Sequence, residues 1–170
     1  MKIMIIGYSG SGKSTLASKL GKKYNLKPLF LDTVHWLPNW VERDFEDEKR
    51  IVEEYLNSND NWLIDGNYSK LSYKRRLEES DLIILMQFNR FVCLKRALIR
   101  KRKYKNKTRE SITDGCIEKV DLEFIWWILY KGRDKKKRLN YENIKKTYAN
   151  KIVIIKNQKE LDRYYIKEGL

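Results

Sequence analysis

Gly7, Gly12, Lys13 and Ser14 stand at the spacing G-x-x-x-x-G-K-[ST], directly after the apolar run Ile3 to Ile6 and directly before a helical pattern carrying Leu16, Ala17 and Leu20 on one side. Such a chain must turn tightly out of a buried strand and into a helix. Glycines let the backbone bend and bring its N–H groups against phosphate oxygens with no Cβ in the way. The anion then lies at the positive end of the helix. The pattern predicts that Gly7, Ser9, Gly10, Ser11, Gly12, Lys13, Ser14 and Thr15 hold the triphosphate of ATP or a close relative. Lys13 is placed to bridge the β- and γ-phosphates, and the Ser14 hydroxyl to ligate Mg²⁺.

Beyond this loop, short apolar runs alternate with helical patterns, which predicts βαβ units and a parallel sheet, an α/β fold. Strands are expected at 3–6, 29–31, 62–64, 82–88 and 151–155, with sheet-covering helices at 14–24 and 45–56. The fourth strand is followed by a long excursion. It holds a basic amphipathic segment over 90–102, a polar stretch over 103–115, an aromatic helix over 121–131 and a basic helix over 133–148. Excursions of this length inside compact domains are usually lids or disordered segments. With 170 residues the chain is read as one domain, 1–170, with residues 90–148 as a basic helical lid within it.

Two acids point toward the same edge. Trp62-Leu63-Ile64-Asp65 is an apolar run ending in a carboxylate before Gly66, the position at which a neighbouring strand supplies an acid to a metal beside the phosphates. Asp65 is therefore expected to hold Mg²⁺ through water, against the alternative of an Asp capping a turn. Asp32 ends the expected second strand, and ligands of open parallel sheets bind beyond the carboxyl ends of the strands. Its carboxylate can serve either the metal or an acceptor hydroxyl.

Charge is concentrated as well as large. Of the net +14, residues 90–146 carry +12, from 19 Lys and Arg against 7 Asp and Glu. Seven of the ten residues Arg100 to Arg109 are basic, as are six of the eight from Lys131 to Arg138. A field so placed attracts anions, either nucleotide phosphates or a nucleic-acid backbone along 100–138. The longest apolar run, Phe124 to Tyr130, falls short of the roughly 20 residues of a membrane span. The start of the chain does not read as a signal peptide, and Cys93 and Cys116 lack the spacing of a disulfide framework or zinc site. A cytoplasmic chain with reduced, buried thiols is expected.

The segments GYSGSGKST at 7–15, LDTVHWLPNW at 31–40, WLIDGNY at 62–68, FNRFVCLKRALIR at 88–100 and DLEFIWWILYKGRDKKKR at 121–138 resemble the bacterial topology modulation protein family, within the adenylate-kinase-like P-loop kinases. The resemblance implies a three-layer α/β/α fold, a five-stranded parallel sheet in the order 2-3-1-4-5, and a helical lid after strand four. Lid arginines of nucleoside monophosphate kinases clamp the transferring phosphoryl group, so by position Arg96, Arg100, Arg133 and Arg138 become candidates. Arg96 and Arg100 also stand four apart, on one helix face. Where adenylate kinases carry Asp-Gly-Phe-Pro-Arg, this chain reads Asp65-Gly66-Asn67-Tyr68, without the proline and arginine.

His35, the one histidine, reads as a hydrogen-bonded, half-buried residue rather than an acceptor ligand. Trp36, Trp40 and Tyr68 can stack on a base or sugar or close a core, and Trp36 is assigned to the core. Three functions are compatible with these residues. One is a Mg²⁺-dependent kinase moving a phosphoryl group from a nucleoside triphosphate to a nucleotide or other small acceptor. The second is a nucleotide-gated DNA-binding or regulatory protein. The third is a protein that binds nucleotide without turnover.

Overall fold

The computed structural model describes residues 1–105 and 107–170; Asn106, inside the expected polar stretch, lies outside the described residues. The chain runs β1 (Lys2–Gly7), α1 (Lys13–Tyr24), β2 (Pro28–Phe30), α2 (Leu31–His35), β3 (Trp36–Leu37), β4 (Val41–Glu42), α3 (Phe45–Ser58), β5 (Trp62–Asp65), α4 (Tyr73–Glu79), β6 (Leu82–Met86), α5 (Arg90–Lys103), α6 (Leu122–Leu129), α7 (Lys135–Thr147), β7 (Ile152–Ile155) and α8 (Gln158–Glu168). Short 3-10 turns join β3 to β4 and α6 to α7.

Five strands form one parallel sheet in the order β2-β5-β1-β6-β7. Counted along the chain these are strands 2-3-1-4-5, the expected order. Central β1 pairs on both sides, Ile3 with Leu63 and with Leu82. Its residues Ile3, Met4, Ile5 and Ile6 are fully buried, as a strand covered on both faces requires. Leu16, Ala17 and Leu20 of α1 and Val52 and Leu56 of α3 join the same core. So do Cys93 and Ala97 of α5, Ile128 of α6, and Tyr141 and Ile144 of α7, so the excursion is packed against the sheet unit by its own apolar residues.

Two boundaries differ from expectation in ways that matter. The second strand ends at Phe30, and Asp32 lies in the first turn of α2 rather than at a strand end. Phe30 is the last residue in register with β5, opposite Asp65, and the Thr33 hydroxyl closes back onto the Phe30 carbonyl at 2.8 Å, which starts the helical turn. Strand β6 stops at Met86 rather than 88 because the Asn89 side chain caps α5. The hairpin β3–β4 has only two residues per strand, too few for a period to be read.

Among the described residues, no helix is long and apolar enough to cross a membrane.

Candidate functional site

The loop between β1 and α1 is held by backbone sterics. A Cβ on Gly7 would stand 2.2 Å from the Met86 carbonyl oxygen, and one on Gly10 would stand 2.5 Å from that of Cys93. Both glycines also have positive φ, so no other residue fits the path. The helix that follows starts bare. Asp or Asn side chains cap α3, α5, α6, α7 and α8, whereas α1 begins after Gly12 with no side-chain cap and no acid in its first turn. Its first N–H groups therefore remain available to an anion. Lys13 Nζ lies 3.1 Å from the Tyr8 carbonyl, folded over the loop it would serve, and Ser9 Oγ accepts from Trp127 Nε1 at 3.3 Å. Ser11 is fully buried, while Thr15 faces solvent.

Below the loop the Ser14 hydroxyl donates to Asp65 Oδ2 at 2.7 Å. Asp65 is 5% exposed, and its other oxygen, Oδ1, is buried with no hydrogen-bond partner among the described residues. Burial pushes the Asp65 carboxyl up to about 6, against the pull of the Lys13 charge and the Ser14 hydrogen bond. An orphaned carboxylate oxygen beside a hydroxyl is a hard-oxygen donor pair, and this fits a hydrated Mg²⁺ that takes its remaining ligands from phosphate and water. No group of three His, Cys, Asp or Glu side chains assembles among the described residues, so a protein-only metal cage is not what these residues build.

Asn67, unremarked in the sequence except as a departure from the adenylate kinase pattern, pins the start of the loop. Its Oδ1 accepts from Gly7 N–H at 3.1 Å and its Nδ2 donates to the Gly7 carbonyl at 2.8 Å, so one amide side chain satisfies one peptide residue on both sides. The Tyr141 hydroxyl, arriving from α7, donates to the same Oδ1 at 2.9 Å. The strand-to-helix turn carrying Asn67 is in turn tied by Arg76. That guanidinium, fully buried, donates to the carbonyls of Leu71, Gly66, Asn67 and Tyr68 at 2.9, 3.1, 3.2 and 2.9 Å. A lone Arg in a helix pattern carries no sequence signal for this.

On the other flank Asp32 Oδ1 accepts from the Tyr68 hydroxyl at 2.9 Å, and Arg109 Nη2 stands 3.8 Å from Oδ2. The Asp32 side chain keeps 42% of its surface exposed, against 12% for Arg109. Arg109 Nε is 2.9 Å from Glu118 Oε2, close but without hydrogen-bond alignment, and Arg100 Nε donates to Glu118 Oε1 at 2.7 Å. Arg100, expected on a phosphate-clamping face with Arg96, is therefore turned to the buried Glu118. Four residues apart on α5, the two arginines have different partners, because Arg96 reaches the Ser11 carbonyl and Gln158 Oε1 instead. The segment carrying Arg109 and Glu118 is fixed over residues 33–40 by Thr113, whose hydroxyl meets the carbonyls of Thr33 and Trp36, by Cys116 on the Leu37 carbonyl, and by Trp40 on that of Ile117.

The remaining cations gather on the loop side. Arg133 lies 3.8 Å from the centre of the Tyr8 ring and donates to the carbonyls of Ile128 and Phe88. Lys137, not singled out individually in the sequence, sits 5.5 Å from the Trp127 ring; burial and then the nearby Lys13 charge lower its ammonium pKa. Arg138 is exposed on α7. His35 is half-buried, with Nδ1 2.6 Å from Glu48 Oε1, as expected of it.

No family model matches the chain. A curated relative, the uncharacterized protein YqaC of Bacillus subtilis (strain 168), is 25% identical over 127 residues, which is 74% of this chain and 69% of the relative. The deoxyadenosine kinase of M. mycoides with bound dATP aligns over 100% of both chains at 16% identity and a TM-score of 0.52. A gluconokinase from Sinorhizobium meliloti 1021 aligns over 99% of this chain and 89% of its own, at 16% identity and a TM-score of 0.51. What the chain shares with these two structures is the P-loop kinase fold, a five-stranded parallel sheet with flanking helices.

Proposed function

We propose that this chain is an ATP-dependent small-molecule kinase whose acceptor is a hydroxyl group. The observation that carries the reading is the pairing of two carboxylates with different surroundings at the loop edge of the sheet. Asp65 is buried against Ser14 beneath the loop, and Asp32 is partly exposed beyond β2. The first suits a metal and the second a proton. Both solved neighbours described above are named as kinases, which supports the same class of reaction. The segments that resemble the topology modulation family, among them 7–15, 31–40 and 62–68, carry these two carboxylates and the loop, and the resemblance supports the same reading.

In this mechanism the loop amides and Lys13 hold the β- and γ-phosphates, with Arg96, Arg133 and Lys137 closing over them from the helical excursion, which acts as the lid. Ser14 and, through water, Asp65 would hold Mg²⁺, which would supply positive charge to offset that of the transferring group. Asp32 orients the acceptor hydroxyl and takes its proton as the acceptor oxygen bonds to the γ-phosphorus. The bond from that phosphorus to the β,γ-bridging oxygen breaks, and ADP leaves with the electron pair. Arg100 acts by positioning Glu118 and hence Arg109, and Arg138 adds to the field without contact.

The test is transfer from [γ-³²P]ATP with Mg²⁺ to a panel of nucleosides, sugars and their phosphates, beside Lys13→Ala. The reading expects a labelled product whose formation Lys13→Ala lowers by roughly 100-fold or more, with a parallel loss of ATP affinity. ATP binding and transfer unchanged in Lys13→Ala would sink it.

A further inference from the structure

The two sides of the proposed site carry opposite electrostatics, and this bears on what the acceptor is. On the donor side Lys13, Arg96, Arg133 and Lys137 have no carboxylate within 4.0 Å among the described residues; their contacts are carbonyls, a side-chain amide, a thiol and aromatic faces. Four cations with no carboxylate in salt-bridge contact suit a triphosphate. The acceptor side is the reverse. Asp32 stands open, and Asp65 is near enough for its carboxyl to feel the Asp32 charge. Glu48 is held by His35, and Glu42 lies 3.9 Å from the same ring. The cation set against Asp32 is Arg109, and it is already shared with Glu118; Arg43, farther along, donates its Nε to the Val34 carbonyl at 2.7 Å and has no carboxylate within 4.0 Å among the described residues.

Beside Asp32 lies an aromatic wall. The His35 ring is 4.5 Å from Trp36 and 5.2 Å from Tyr68, and Trp36 is 5.4 Å from Trp40, centre to centre. None of the four is fully buried, and Tyr68 is the residue that bonds Asp32. A cluster of edge-to-face and tilted, partly exposed rings offers apolar area and π faces, the partner of a flat base or the C–H face of a sugar ring.

We infer that the acceptor is an uncharged alcohol built on a ring, a nucleoside or a neutral sugar, and carries no phosphate of its own. Its hydroxyl sits between Asp32 and Arg109 and its ring lies on the Trp36–Trp40–Tyr68 wall. This rests on the kinase reading and deepens it. A phosphate monoester, close to dianionic at neutral pH, would be brought against Asp32, whose facing cation Arg109 is already shared with Glu118, and like-charge juxtaposition of that kind is a strong means of rejection. Arg109 then acts as a specificity residue, donating to the acceptor oxygen that also bonds Asp32, since the two groups stand 3.8 Å apart.

The experiment uses the full chain saturated with Mg²⁺ and a non-hydrolysable ATP analogue. Matched pairs are titrated by calorimetry: deoxyadenosine with its 5′-monophosphate, the other nucleosides with theirs, and neutral hexoses with theirs. The expected result is a neutral member that binds at least roughly 100-fold tighter than its phosphate. Trp fluorescence should be quenched on binding, and the quench should be lost in Trp36→Phe. The nucleoside and hexose arms decide the ring. Asp32→Asn, isosteric and on a partly exposed side chain, should narrow the discrimination by roughly 10-fold by relieving the monophosphate. A monophosphate binding as tightly as its neutral partner, or no neutral ring compound binding while the analogue does, overturns the inference and leaves the kinase reading standing. Failure of the analogue itself to bind, in wild type as in Lys13→Ala, sinks the kinase reading instead.

Discussion

Arg76→Met is the sharpest test of how the loop is held. Arg76 is fully buried, its guanidinium has no carboxylate partner among the described residues, and burial pulls its pKa down to about 10, so the group is charged at neutral pH. It survives there because four carbonyls between Gly66 and Leu71 accept from it. Methionine keeps the apolar stem and removes all four donors. Hydrogen bonds to a charged group contribute about 1.5–3 kcal/mol each, but the substitution also relieves the cost of burying a charge, and some of the freed carbonyls take water. The balance is a loss of about 3–5 kcal/mol, since each carbonyl left buried without a donor costs about 1–3 kcal/mol. For a domain of this size that lowers Tm by about 6–20 °C in calorimetry. Arg76→Lys should recover little, since an ammonium cannot reach four carbonyls arranged for a planar fork. Because the Asn67 carbonyl is among the acceptors and Asn67 brackets Gly7, surviving folded protein should also bind ATP more weakly. A Tm within about 2 °C of wild type would refute the assignment of Arg76 as the tie of this turn.

Three further outcomes follow from the same contacts. The Asp65 carboxyl is raised to about 6 by burial, so the neutral acid is favoured in the folded chain; that contribution is full below about 4, the ordinary carboxylate range, and is lost as pH rises through 6. Urea midpoints of the nucleotide-free protein should therefore fall between pH 4 and 7, by about 3 kcal/mol in ΔG, and Asp65→Asn should flatten that slope. Glu118→Ala strands two partly buried guanidiniums, Arg100 and Arg109, and should cost about 3 kcal/mol by the same measurement. Tyr141→Phe removes one hydroxyl from Asn67 Oδ1, which still receives Gly7 N–H, so the loss should stay at about 0.5–1.5 kcal/mol.

The sheet was legible because a strand covered on both faces is apolar without interruption, and each such run met a glycine, an acid or a cap at its end. Gly7 to Ser14 was legible for a stronger reason: the glycines are required by a carbonyl 2.2 Å from where a side chain would start, a constraint that leaves no choice of residue. Asn67, Arg76 and Arg109 were not legible in their roles. Each acts on backbone or on a side chain far away in sequence, 60 residues in the case of Asn67 and Gly7, and no local period records such a pairing. Asn67 was visible only as a misfit, standing where a related pattern has Phe. The position of Asp32 was read two residues too far along a strand, because Leu31 is apolar in either a strand end or a first helical turn.

The basic excursion shows why a count of charges differs from a field. Read along the chain, Arg100 to Arg109 is a dense cationic run, a solvated face or lid surface that could also meet a nucleic-acid backbone. In the fold its two ends turn inward onto one carboxylate, Glu118, which is 7% exposed and lies eighteen and nine residues away from them. The run's other cations stay exposed, Lys101, Arg102 and Lys103 at the end of α5 and Lys105 and Lys107 just beyond it. One buried glutamate thus converts a linear cluster into a structural strut beside the acceptor edge and a smaller outward patch. If that is right, charge reversal at Lys101, Arg102 and Lys103 should leave ATP affinity at 0.15 M salt within about twofold, because screening over roughly 8 Å removes their reach. Reversal at Lys137, beside Lys13, should lower ATP affinity by roughly 10-fold or more. Equal losses from both would mean that the charge acts as an undivided field and that the partition onto Glu118 is irrelevant to binding.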